Sequence, residues 1–238
     1  MAEFLRKDWD LDLRAELYKE EFYTTKAWAS ASRRDALVSP WNRGTTEELR
    51  HLREDRKPER LEHIGEIVTE QQSLVMVGLW YDLLGIGPQS RPLSSELLHA
   101  TIHLGGSVAG YFKDRFNRVR PWVLAPELFP PIPSPGLPAY PGGHSTQVYL
   151  MARTLQYLMP DKTTEITSIA DRVAANRERA GLNYRSDTEA GKELADRVFE
   201  ILTSECEQFM SLLEEAKQKE WGAATDRDAP PREAILRT

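Results

Sequence analysis

Cysteine is almost missing from these 238 residues: Cys206 stands alone. That excludes a disulfide framework and any cysteine-based metal centre. Excess positive charge is missing too. The formal net charge of −6 speaks against a general binder of nucleic acid or anionic membrane, since both reward surplus cations. No window reaches the roughly 18 consecutive apolar residues of a membrane span. The longest apolar stretch, Leu74 to Leu84, is interrupted by Gly78 and Asp82. The first residues, Met1 to Asp8, are charged and lack the apolar core of a signal peptide. These absences predict a cytoplasmic protein, or an exported one whose signal has been removed. Alternating strand-like runs are also lacking, because the β-branched residues are scattered.

What is present is helical periodicity. Leu61, Ile64, Ile67, Val68, Leu74, Val75, Leu79 and Leu83 read as one wide apolar face, ended by Gly85, Gly87 and Pro88. Ser94 or Ser95 can cap a second helix that carries Leu97, Leu98, Ile102, Val108 and Phe112 toward Pro121. Seven prolines between Pro126 and Pro141 then make a stiff connector. A third helix is expected from Gly143 to about Met159, and a fourth from Thr163 to Ala180, stopped by Gly181. Ser186 to Glu189 matches a capping box and opens a long final helix. The expectation is an all-α helical bundle over residues 1–220, followed by an extended or mobile tail over 221–238.

Three segments carry chemistry. Lys113 and Arg120 are seven residues apart, about two helical turns, so a helix ending at Pro121 would present both on one face. Gly142 and Gly143 precede a helix start, where free amides can face an anion. His144 follows on the first turn and can give a proton to a departing oxygen. Arg177 stands at a helix C-terminus, with Asn183 and Asp187 beyond it. Alone, each has a bland reading: a solvated basic stripe, a proline–glycine turn, a capped helix end.

Together they resemble the three-part signature of the type-2 phosphatidic acid phosphatase and vanadium haloperoxidase superfamily. That signature reads Lys, six residues, Arg-Pro; then Pro-Ser-Gly-His; then Ser-Arg, five residues, His, three residues, Asp. Lys113, Arg120 and Pro121 complete the first part. Pro141, Gly142, Gly143 and His144 supply the second, with Gly142 where serine is usual. Asn176, Arg177, Asn183 and Asp187 stand in the third, with Asn183 where the histidine belongs. The resemblance covers roughly Leu93 to Phe199, and the soluble bacterial class A acid phosphatases look nearest within it. It implies that Lys113, Arg120, Arg177 and the amides of Gly142 and Gly143 hold the oxygens of phosphate or vanadate. It further implies that His144 protonates the leaving group and that Asp187 orients the side chain at 183.

The departure lies at that position. An asparagine nitrogen is essentially non-basic and cannot form a phospho-histidine. Three readings fit Asn183: a deliberate replacement of histidine, a non-catalytic binder, or a changed chemistry. The expected function is therefore an acid-phosphatase-like scaffold, metal-independent and needing no cofactor, with weak or absent turnover on small phosphate esters. A vanadate-using haloperoxidase, with vanadate as cofactor, and a non-catalytic oxyanion-binding module are the alternatives. The expected partner is a small phosphate ester or other oxyanion, with no nucleic acid, and a homo-oligomer remains open. Tyr184 reads as a packing residue, and Trp122 as packing or the wall of a cleft. His99 and His103 have the i, i+4 spacing of a metal pair, but no further ligand is evident and no metal site is assigned.

Overall fold

The computed structural model describes residues 9–42 and 44–222, and the expected tail falls almost wholly outside them. In chain order the helices are α1 (Leu11–Thr24), α2 (Lys26–Ala29), α3 (Ala31–Asp35), α4 (Thr45–His51), α5 (Lys57–Glu59), α6 (Ile64–Thr69) and α7 (Ser73–Leu84). There follow α8 (Pro92–Phe116), α9 (Pro121–Leu124), α10 (Gly143–Leu158), α11 (Thr163–Arg179), α12 (Arg185–Glu205) and α13 (Glu207–Glu220). No strand occurs among the described residues, so the fold is all-α as expected.

Helix α10 is central and packs against α8, α11, α12 and α13, while α1 lies along α8. The core follows the apolar spacing of these helices: Leu97, Val108 and Phe112 from α8, Val148, Leu150 and Leu155 from α10, and Leu194, Val198 and Leu202 from α12. Two glycines set the closest approaches. A Cβ on Gly105 would stand 3.1 Å from Gln147 Cα, and one on Gly191 would stand 2.6 Å from Gly142 O. Glycine thus lets α8 and α12 press onto α10.

Four local expectations need correction. The apolar residues from Leu61 to Leu83 do not form one buried face. A turn and a break at Glu70–Gln72 divide the segment into α6 and α7, and Leu61 (81% exposed), Val68 (52%) and Leu83 (51%) face solvent. Helix α8 stops at Phe116, not near Arg120. Asn117 adopts a left-handed φ of 46° and returns its N–H to Lys113 O, a conformation asparagine tolerates better than most residues. Lys113 is therefore helical while Arg120 is extended before Pro121, and the two do not share a helix face. Neither Ser94 nor Ser95 is the cap of α8. Arg91 holds that position, and Glu220 of α13 accepts the N–H groups of Leu93 and Ser94 at 2.8 and 2.9 Å. Helix α12 begins two residues earlier than the Ser186 box implies. Asp187 is its third residue and accepts the Tyr184 N–H at 2.8 Å.

Candidate oxyanion site

The three signature segments meet where the end of α8, the start of α10 and the turn from α11 to α12 converge. Lys113, only 5% exposed, donates its three ammonium protons to Pro138 O, Ala139 O and Pro141 O at 2.8, 2.8 and 2.6 Å. Arg120 donates to Leu137 O, Leu182 O and Pro138 O at 2.8, 2.8 and 3.2 Å, and to Asn183 Oδ1 at 3.4 Å. The proline-rich connector therefore folds over both cations, and its carbonyls solvate them. Arg177 is different. Its guanidinium is 2% exposed, and Nε and Nη1 have no hydrogen-bond partner. Its backbone carbonyl accepts the N–H groups of Leu182 and Asn183, which seats the following turn beneath it. That turn is made possible by Gly181, whose φ is +73°.

The charges act on one another. Burial, with Arg120 second, lowers the Arg177 pKa to about 10. Burial and then the Arg120 charge push Lys113 down to about 7, whereas three carbonyl acceptors fit an ammonium with all its protons. His144 is pushed down to about 3, first by burial and then by Arg177. Its ring is neutral in this arrangement, and Nε2 lies 3.2 Å from both Glu70 O and Gln71 O, as a donor would. The break between α6 and α7 thus exists where its carbonyls meet the histidine.

Asn183 is held on all sides. Nδ2 donates to Ala139 O at 3.1 Å and to Asp187 Oδ2 at 3.3 Å, while Oδ1 faces Arg120. Asp187 is fully buried. Burial pushes its carboxyl up from the usual range, and Arg118, the Tyr184 amide and Asn183 work against that rise. One assignment changes. The Gly142 N–H does not face an anion, because it donates to Asp187 O at 2.8 Å. The first helical bond of α10 runs from Thr146 N to Gly142 O, which leaves the amides of Gly143, His144 and Ser145 ahead of it. Gly143 lies against the Lys113 side chain, 3.4 Å from Cε to the position of a Cβ.

Arg118 and Glu48 also belong to the site, though no motif marks them. Arg118 donates to Asp187 Oδ1 and Ser186 Oγ at 2.7 Å each, pairs with Glu48, and covers the Tyr184 ring at 3.8 Å. No sequence signal separates Arg118 from the other cations of its segment, and Glu48 is 70 residues away in the chain. Tyr184 is a buried packing residue, as expected. Trp122 is part-exposed and donates Nε1 to Ser134 Oγ at 2.9 Å.

No family model and no curated protein matches this chain. Among solved structures it is similar to the first transmembrane phosphatidylglycerolphosphate phosphatase of PAP2 type from Bacillus subtilis. The identity is 16%, with 81% of this chain and 92% of that chain covered and a TM-score of 0.37. The expected cytoplasmic location is withdrawn, because the similar structure is that of a transmembrane enzyme. No helix among the described residues is long and apolar enough to cross a membrane.

Proposed function

We propose that this chain binds a phosphate-like tetrahedral oxyanion among Arg177, Arg120, Lys113 and the amides that open α10. The observation that carries the reading is the Arg177 guanidinium, buried with two nitrogens lacking any acceptor. A buried cation left so is costly, and an anion with several oxygens removes that cost. Lys113 and Arg120 already have carbonyl partners, so they set the potential of the pocket and trade carbonyls for anion oxygens on binding. Fixed cations in a dry pocket also stabilise the charge that grows on a five-coordinate phosphoryl transition state.

The chemistry we assign to the scaffold is phosphomonoester hydrolysis, metal-independent, with His144 as proton donor. A bound dianion offsets the charges of Arg177 and Arg120 that keep His144 neutral, so the imidazole gains its proton as the ligand arrives. Asn183 supplies no nucleophile. Its amide nitrogen is non-basic and already donates to Ala139 O and Asp187. The chain as it stands is thus proposed to bind phosphate esters with weak or absent turnover.

The test is hydrolysis of p-nitrophenyl phosphate by the full chain and by Asn183→His, beside inorganic phosphate binding followed by calorimetry. The expected outcome is phosphate binding by both proteins, with hydrolysis rising on the order of 100-fold in the histidine variant. A histidine variant that binds phosphate but gains no hydrolysis removes the phosphatase reading. Absence of phosphate binding in both removes the site.

A further inference from the structure

A second cluster lies in the N-terminal half of α8, where α1 packs against it. Asp10 caps α1 by accepting the Asp12 N–H at 2.9 Å, and this fixes Asp12 on the first turn. His99 and His103 follow one another by a single turn of α8. His99 Nδ1 lies 2.7 Å from Asp12 Oδ1, and His103 Nε2 lies 2.9 Å from the same oxygen. The third ligand missing from the sequence reading is therefore supplied by α1, 87 residues before His99.

We propose that Asp12, His99 and His103 form a binding site for a first-row divalent cation of the zinc class. The three donor atoms lie within 4.8 Å of one another. A tetrahedral ion with bonds of about 2.0–2.1 Å needs donors about 3.3 Å apart, so small rotations of the side chains suffice. Two imidazoles and one carboxylate favour zinc, cobalt or nickel over magnesium or calcium, which take oxygen. On binding, each imidazole carries its proton on the other ring nitrogen and turns a lone pair to the ion. Asp12 and both histidines are part-buried, which leaves solvent a route to the fourth position.

The site is independent of the oxyanion pocket. Helical rise separates His103 and His99 from Lys113 by about 15–21 Å, too far for one ion to touch a phosphate there. What it joins is α1 to α8. That junction already holds the Arg14–Glu96 ion pair and the Tyr18–Glu96 hydrogen bond of 2.7 Å. An ion in the cluster would fasten the start of α1 as well.

The experiment uses the full chain without a histidine tag. Zinc binding is followed by calorimetry, and the visible spectrum is read with cobalt. The expected result is one equivalent bound, a rise in Tm, and cobalt bands of a four-coordinate nitrogen and oxygen site. Asp12→Asn and His103→Ala should each weaken zinc by at least about tenfold while leaving phosphate binding unchanged. No binding of zinc or cobalt overturns the proposal, and so does binding that persists in both variants. Should a variant fail to fold, protection of His99 and His103 from diethyl pyrocarbonate by zinc gives the same answer in the unaltered chain. Equal modification with and without zinc also overturns it.

Discussion

Arg118 reaches Asp187 with 2.7 Å between Nη1 and Oδ1, and both side chains are shut off from solvent. The guanidinium also pairs with Glu48 and lies over the Tyr184 ring. It thereby joins two buried carboxylates from different parts of the chain through one positive charge. Arg118→Leu removes the cation and leaves both carboxylates unpaired, which should cost about 3–5 kcal/mol of stability. Urea unfolding of the two proteins measures this. A loss below about 1 kcal/mol would show that the pair does not hold the turn before α12.

Arg177→Met should behave in the opposite way. It deletes two unsatisfied buried nitrogens, so the ligand-free protein should be no less stable than the parent. Added phosphate or vanadate should raise the Tm of the parent and leave the variant unmoved. Equal stabilisation of both by the anion would place the ligand elsewhere.

The pH dependence has a sign that can be worked out. His144 is lowered from 6.5 to about 3, so between those values the unfolded chain binds more protons than the folded one. The stability contributed by this group is complete above pH 6.5 and is lost as pH falls toward 3. His144→Gln should flatten the profile in that window. Saturating phosphate should flatten it as well, because the anion raises the folded-state value. Urea midpoints between pH 4 and 7 read both effects. An unchanged slope in the glutamine variant would deny His144 its enclosed, neutral state.

Gly142→Ser restores the residue usual in the second motif, yet it should not restore a better site. A Cβ there would stand 2.8 Å from Asp187 O and 3.0 Å from Ser145 Oγ. Overpacking of this kind costs about 1–3 kcal/mol. A serine variant as stable as the parent would show that the start of α10 can move away from α12.

The sequence was most readable where one residue decides local geometry. Gly181 stops α11, and the Gly143–His144 start of α10 falls where expected. It was least readable where two distant segments decide. The periodicity from Leu61 to Leu83 gives no sign of the break at Glu70–Gln72, where two carbonyls meet His144, more than 70 residues on. Asn117 reads as an ordinary polar residue until its left-handed φ is seen. The converging cations were legible because they stand at the spacing of a three-part motif. Arg118 with Glu48, and Asp12 with His99, escaped because a single pair leaves no spacing to read.

The unpartnered Arg177 has a consequence for how this protein is handled. If the site binds anions as proposed, it would act like a fixed ion exchanger and take whichever anion the medium supplies. Preparations in phosphate, sulfate and chloride should then be different molecular species sharing one fold. Their melting temperatures would rank the anions rather than the buffers.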